Sequence, residues 1–374
     1  MTKQVFNPWE ISGDINYNKL VKEFGIQPLK NLPDIFNKNV LFRRGIVFAH
    51  RDIQRILDAI KNKKPFIMMT GLMPTGKFHI GHMLLAQQFI FYQKLGAKIY
   101  IAVADIEAYN ARNQSLEESK KIAIEEYITN YIALGLDPKK CEIYFQSDRS
   151  KEAKKSNAYY RLQNLLARCA TFNEFKAVYG EISPGKMISA LLQASDMLHP
   201  QLKEFEGANS KNGIQTLIPV GIDQDPHIRL ARDMSKKIKD FNLTQISSTY
   251  HLFMPGLSGG KMSSSDPTSF IALTDSPSEI KNKINKYAFS GGQATLEEHK
   301  KLGGNPDIDV SFQYLKFFFE PSDEKLSEIE ENYKSGKLST GELKKYTIEK
   351  IQEFVKEHQS KIPKAKKEAE KLFF

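Results

Sequence analysis

Between residues 64 and 146 the sequence alternates short apolar runs with segments of helical period, and this alternation limits the possible folds more than any other feature. Lys64-Pro-Phe-Ile-Met-Met-Thr70 is apolar on both faces, as a buried strand is. A Gly/Pro-rich turn over residues 71–76 follows, and residues 80–95 then place apolar side chains at helical spacing. Lys98-Ile-Tyr-Ile-Ala-Val-Ala104 is a second strand-like run. Ser115, with Glu118 three residues on, opens another helix through a capping box, and Cys141 to Gln146 reads as a third strand. Strand, helix, strand, helix, strand in this order predicts an α/β fold with a Rossmann-type parallel sheet. Ligands of such a sheet sit beyond the carboxyl ends of the strands, where the first strand turns into its helix. Upstream, short polar and aromatic pieces precede a helical pattern at residues 51–60. From Pro277 the texture changes to Lys- and Glu-rich helical patterns that end at Lys371-Leu-Phe-Phe374, which predicts a separate all-helical C-terminal domain. The expected division is an N-terminal extension over 1–60, an α/β domain over 61–276 and a helical domain over 277–374.

The bulk numbers agree with several globular domains. The chain has 374 residues, 41% hydrophobic and 26% charged, and contains no apolar run long enough to span a bilayer and no secretory leader. Cys141 and Cys169 are too few for a disulfide framework or a structural zinc site, so a reducing cytoplasm is expected and no protein-bound metal. The formal charge of +10 biases the chain toward a polyanion such as nucleic acid, but a Lys-rich surface can serve solubility alone.

Two segments carry phosphate chemistry. The first, Gly71-Leu-Met-Pro-Thr-Gly-Lys-Phe-His-Ile-Gly-His82, nearly matches a nucleotide-binding P-loop, with Gly71, Gly76 and Lys77 in register. Phe78 breaks the match, because it lacks the hydroxyl that would hold magnesium, and Pro74 removes a backbone donor. His79 and His82 give the better reading. They lie one turn apart on a helix that starts near His79, with Gly81 between them. A glycine there lets an adenine or ribose lie on the backbone, while the imidazoles and the helix dipole attract phosphate. An isolated H-x-x-H would more often be two surface histidines. The second segment is Pro255-Gly-Leu-Ser-Gly-Gly-Lys-Met-Ser-Ser-Ser-Asp-Pro267. Its glycines make a mobile loop that can carry Lys261 onto a leaving pyrophosphate, with hydroxyls following at Ser263, Ser264 and Ser265. Alone, such a loop would be a solvated turn.

Together, His-Ile-Gly-His after a first strand and Lys-Met-Ser-Ser-Ser well downstream resemble the two signatures of class I aminoacyl-tRNA synthetases. Ser264 stands where the commonest form of the second signature has another lysine. Over nearly the whole chain the sequence resembles the tryptophanyl-tRNA synthetases of archaeal and eukaryotic type. Asn7-Pro-Trp-Glu10, Phe42-Arg-Arg-Gly45, His50-Arg-Asp52, Gly221-Ile-Asp-Gln-Asp-Pro-His-Ile-Arg229, Ala288-Phe-Ser-Gly-Gly292 and Gly341-Glu-Leu-Lys-Lys345 carry this resemblance. It implies tryptophan-tRNA ligase activity: ATP with Mg2+ activates tryptophan to an adenylate, and the terminal ribose of a tryptophan-specific tRNA takes the amino acid. It also implies a homodimer, no membrane association, and an anticodon-binding role for residues 277–374. By motif, His79, His82, Lys261 and Ser263 are the expected catalytic residues, and Thr75, Gly81, Gly221, Asp223, Met262 and Ser264 bind ATP.

The amino-acid pocket is expected to contain Met69, Glu107, Gln193, Asp196 and Gln224. Glu107, just past the second strand, would face the substrate ammonium, and Gln193 and Gln224 would clamp its backbone. Met69 and Ala102 stand where the eukaryotic enzymes place polar side chains near the indole. Asp196, three residues after Gln193 on a helical pattern, is then the expected acceptor for the indole N–H. Lys344 and Lys345 are the expected tRNA contacts. A tyrosine-tRNA ligase is the nearest alternative, since it shares both signatures, but a phenol site would place a tyrosine at position 69. A P-loop ATPase that binds RNA, and a non-catalytic tRNA-binding paralogue, are the remaining readings.

Overall fold

A computed structural model describes residues 5–7, 10–12, 17–209, 213–260, 262 and 266–373. A short antiparallel ribbon pairs β1 (Val5–Asn7) with β2 (Glu10–Ser12). The main sheet contains β3 (Gln27–Pro28), β4 (Val47–Arg51), β5 (Phe66–Leu72), β6 (Ala97–Val103), β7 (Cys141–Phe145), β8 (Gln215–Gly221) and β9 (Ser247–His251). Their order is β3-β4-β9-β8-β5-β6-β7, parallel from β9 to β7 and antiparallel at β4 and β3. This is the expected Rossmann-type α/β sheet. The chain winds outward from β5 through β6 to β7, then returns to the other side of β5 at β8, so the topological switch lies between β5 and β8.

Alternate residues of β5 and β6 feed two cores. Met68, Ile99, Ile101 and Val103 belong to one, and Ile67, Met69, Tyr100 and Ala102 to the other. Burial on both faces is why these strands read as continuous apolar runs. The first core continues without a break into the C-terminal helices, through Phe312, Leu343, Ile351 and Val355. Arg43 and Arg44 add ion pairs of 2.6 and 2.7 Å to Asp323. The long C-terminal helix Thr340–Glu370 starts from a capping box at Ser339 and Glu342.

Six of the described strands, β1 to β4, β8 and β9, went unread in the sequence, and three of them have a clear physical reason. The stretch expected as helix at residues 51–60 is helical only over Gln54–Lys61, and the residues before it form β4. β9, Ser-Ser-Thr-Tyr-His, looks polar yet is wholly buried, because Ser247 donates to the Asp52 carbonyl and Ser248 to the Tyr250 hydroxyl, both at 2.7 Å. β8 contains Pro219, a residue normally barred from central strands. β8 pairs with β5 only at Gln215, Thr216 and Leu217, and beyond that point it pairs with β9 alone. With no N–H at Pro219 to continue the ladder, β5 and β8 part at their carboxyl ends, and the site opens in the gap.

Candidate functional site

A cleft of about 980 Å3 lies between the carboxyl ends of β5, β6 and β8. β5 delivers the chain into the turn at one end of it. Gly76 has φ +63°, a left-handed conformation that favours glycine. Phe78 is fully buried, packed edge-on against Tyr127 and Tyr131. The residue that broke the P-loop pattern is therefore the anchor of the turn. Its N–H donates to Glu126 Oε2 at 3.2 Å, and its carbonyl accepts from the Leu273 N–H at 3.2 Å. Tyr127 Oη donates to the Thr75 carbonyl at 2.7 Å.

The two histidines have different surroundings. Residues 80–82 form one turn of 3-10 helix ahead of the helix Met83–Lys94. The imidazoles stack with centroids 3.7 Å apart. The His79 N–H donates to His82 Nδ1 at 3.1 Å. Burial holds the His82 pKa well below the ordinary histidine value, so the ring is neutral, and with Nδ1 accepting, its proton sits on Nε2. His82 lines the cleft as a neutral donor. His79 lies behind it, against Phe270, with its pKa lowered to about 3 by burial and Nδ1 unpartnered. Of the pair, only His82 is in the cleft wall.

Gly81 also lines the cleft, but its open side is covered: a Cβ there would come within 2.9 Å of Met262 Sδ. The glycine-rich loop closes on itself through the Gly256 N–H to the Gly260 carbonyl, 2.6 Å, and Gly259 has φ +90°. Lys261, Ser263 and Ser264 lie outside the described residues. What the structure does show is that the chain leaving this loop pairs with the histidine turn, the Ile80 N–H reaching the Ile271 carbonyl at 3.0 Å. The turn of the first signature is thereby bound to the chain that follows the second.

The opposite end is built from side chains. Met69 on β5 and Ala102 on β6, two positions apart in the register of the paired strands, form apolar floor. Glu107, in the first turn of the helix Asp105–Arg112, is buried and accepts a short hydrogen bond from Gln193 Nε2 on the helix Pro184–Leu198. Burial pushes its carboxyl up to about 7 against that bond. Asp196, one turn further along the same helix, is 3% exposed and pushed up to about 6, again by burial. Its Oδ1 accepts from Tyr144 Oη and Tyr159 Oη, each at 2.7 Å, and its Oδ2 from Gln146 Nε2 at 2.8 Å. A carboxylate offers about four acceptor positions, so one remains on Oδ2, and Asp196 lines the cleft. Along the third wall, Gly221 ends β8 where a Cβ would meet Asp223 Oδ1 at 2.6 Å, and Gln224 Nε2 donates to Asp223 Oδ2 at 3.1 Å.

Met69, Thr75, Gly81, His82, Glu107, Gln193, Asp196, Gly221, Asp223 and Gln224 thus come from five separate stretches to line one cleft. Lys344 does not fit its expected use. Its Nζ is half-buried and donates to the Ala288 carbonyl at 3.0 Å, at the end of the helix Pro277–Tyr287, whereas Lys345 is exposed. Several lining residues were not anticipated. Gln146 alternates with Tyr144 at the end of β7, a polar pair on one face that could have been noticed. Tyr179 and His227 meet at 2.5 Å between Oη and Nδ1, and nothing local in either segment signals it.

The family description "tRNA synthetases class I (W and Y)" matches residues 61–356. The tryptophan–tRNA ligase of Methanocaldococcus jannaschii is 44% identical over 369 residues, covering 98% of this chain and 97% of that one. The corresponding ligase of Aeropyrum pernix is 42% identical over 378 residues, with 100% and 98% covered. The crystal structure of tryptophanyl-tRNA synthetase from Aeropyrum pernix superposes with a TM-score of 0.89 at 42% identity, covering 96% of both chains. The Giardia lamblia enzyme gives a TM-score of 0.82 at 32% identity, covering 93% of both. With the first signature at the switch point of a parallel sheet, and relatives aligned end to end, this chain belongs to the class I tRNA synthetases of the tryptophan and tyrosine family.

Proposed function

We propose that this protein is a tryptophan-tRNA ligase, which activates tryptophan with ATP and transfers it to the terminal ribose of its tRNA. The observation that carries the reading is the cleft itself. One end offers a neutral histidine donor and backbone at a glycine turn. The other offers an apolar floor with two buried acids. The relatives aligned over the full length are tryptophan–tRNA ligases, and Met69 stands where a phenol site would place a tyrosine, so the tyrosine reading is not favoured. Tryptophan-dependent exchange of labelled pyrophosphate into ATP tests the proposal. Exchange driven by tyrosine and not by tryptophan would overturn it.

In this reading the ATP phosphates lie at Thr75 and His82, with Lys261 and Ser263 brought by the second signature, and the adenosine lies along Gly81, Gly221 and Asp223. His79 acts from behind, since its N–H holds His82 Nδ1 and so keeps the donor proton on Nε2 toward the cleft. Mg2+ enters with ATP as part of the substrate. The ammonium of tryptophan pairs with Glu107, Gln193 and Gln224 hold its carboxylate end, and the indole lies on Met69 and Ala102 with its N–H toward Asp196. No protein nucleophile is needed. The carboxylate attacks the α-phosphate, and catalysis comes from positioning and from donors aimed at the pyrophosphate as its charge develops. Residues 277–374 are proposed to read the anticodon, with Lys345 among the contacts. A cytoplasmic homodimer suits the two unpaired cysteines and the family, and sedimentation of the purified chain measures that assembly.

A further inference from the structure

The turn that carries His79 and His82 is held by the backbone of Phe78, and each of its two bonds leads to the same helix. On one side the Phe78 N–H donates to Glu126, which lies in a π-helical turn, Ala123–Ile128. The wider turn lets Glu126 and the adjacent Tyr127 both reach the 75–78 segment, where an α-helix would set neighbouring side chains about 100° apart. Behind Glu126, Asn130 Nδ2 donates to the Glu126 carbonyl at 2.5 Å, and Asn130 Oδ1 accepts from His358 Nε2 at 2.7 Å. On the other side the Phe78 carbonyl accepts from the Leu273 N–H. Gln359 Nε2 donates to the Leu273 carbonyl at 2.9 Å and to the Asp275 carbonyl at 3.1 Å. The same segment is closed by Asp275 Oδ2, which accepts from the Ala272 N–H at 2.9 Å and from Lys283 Nζ at 2.6 Å.

We propose that His358 and Gln359, neighbours on the helix Thr340–Glu370, are positioning residues for the ATP end of the cleft, gripping the histidine turn from both sides through Phe78. The inference rests on the reading of that turn as the ATP site. Its content is that the geometry of the phosphate donors is set from the helical region, by residues 91 and 92 positions beyond Pro267 in sequence, of which Gln359 is two hydrogen bonds from Phe78 in space. Neither residue lines the cleft, so neither touches substrate. At the amino-acid end Tyr144, Gln146 and Tyr159 all bond to Asp196, and among the described residues the helix Thr340–Glu370 makes no hydrogen bond to any of the four. Loosening the grip therefore acts on ATP and leaves tryptophan alone.

The test is steady-state pyrophosphate exchange without tRNA, with competent sites counted by the adenylate burst so that unfolded protein drops out of the comparison. Gln359→Glu keeps the shape but sets a carboxylate against two carbonyls. His358→Phe keeps a ring and removes the donor to Asn130. A displacement near an ångström at a reacting group can cost up to about a hundredfold, and a loosened support should cost roughly tenfold in kcat/KM for ATP, with KM for tryptophan within about a factor of two. Gln359→Lys restores a donor to the same carbonyls and should recover most of the loss. The two variants reach the turn by independent routes, so failure of one to fold leaves the other. Unchanged kcat/KM for ATP per competent site, or equal losses for ATP and tryptophan, would overturn the proposal. If the unmodified protein shows no tryptophan-dependent exchange, it is the functional reading that fails.

Discussion

The two ends of the cleft are stabilised by opposite means. At the Asp196 end, buried side chains from β7 and two helices satisfy one another: Tyr144, Gln146 and Tyr159 all converge on a single carboxylate. Behind them the Arg149 guanidinium lies 4.0 Å over the Tyr144 ring and donates to His199 and Glu142. At the His82 end the anchors are backbone groups of Thr75, Phe78 and Ile80, bonded to segments distant in sequence. A side-chain network bonded to one carboxylate makes a defined shape that can discriminate one flat ring from another, because a wrong ligand leaves a buried polar group without a partner. A turn held by its backbone can present donors to phosphate while its covering loop, with Met262 over Gly81, changes position. On the proposed function, selection and chemistry are thus separated along the cleft.

If that separation is right, Lys261→Ala gives the largest effect and confines it to chemistry. Loss of a donor to the developing pyrophosphate charge costs roughly a hundredfold to a thousandfold in the single-turnover rate of adenylate formation, with tryptophan affinity little changed. A rate equal to that of the unmodified protein would remove Lys261 from the phosphate end.

At the other end, replacing Asp196 should act on selection. Asp196→Ala, and Asp196→Asn as the variant of equal size, are expected to lower the preference for tryptophan over an analogue with sulfur in place of the ring nitrogen by roughly ten- to a hundredfold. The ratio of kcat/KM values in pyrophosphate exchange reads this directly. An unchanged ratio would mean that the indole N–H goes elsewhere and that the Asp196 network is only scaffolding.

Glu107 sharpens the comparison through pH. Its carboxyl is raised to about 7 by burial, so ionising it costs folded-state stability as pH rises from the ordinary carboxylate range through about 7. The ammonium of tryptophan would offset that cost. KM for tryptophan should therefore fall as pH rises from about 6 to about 8, while KM for ATP follows a different course. In Glu107→Gln the tryptophan dependence should flatten. Equal pH profiles for the two substrates would contradict the division of labour.

The smallest effects separate two adjacent lysines. Lys345→Ala should weaken tRNA binding and reduce the slope of log K against log salt by roughly one, with pyrophosphate exchange untouched. Lys344→Ala should instead lower stability by about 1 kcal/mol, measured by urea denaturation, since it removes donors from the end of the Pro277–Tyr287 helix. Equal tRNA affinity in the Lys345 variant would place the tRNA contact elsewhere on the helical region.

Much of this molecule is written locally. β5 and β6 were legible because a strand buried on both faces needs several apolar residues in succession, and β7, a partly buried edge strand, because Ile143, Tyr144 and Phe145 favour extended chain. The N-cap at Ser115, whose hydroxyl accepts from the Glu118 N–H without the reciprocal bond of a capping box, and the two signatures were legible because their chemistry lies within a dozen residues. Glu107 could be placed because a residue just past a parallel strand must lie near the crevice. What the sequence could not decide is which polar groups are satisfied, and by whom. β9 looked polar because the Ser247 hydroxyl finds its partner, the Asp52 carbonyl, only after β4 and its following turn are alongside. His79 and His82 were equivalent as letters, and only the His79 N–H bonded to His82 Nδ1 makes one a cleft donor and the other its support. Phe78 read as a defect in a phosphate loop, and Lys344 as a free cation, until residues 126, 273 and 288 were brought beside them. Periodicity and turn chemistry are properties of neighbouring residues. The hydrogen-bond partners of buried groups come from wherever the fold delivers them, and so belong to the tertiary structure.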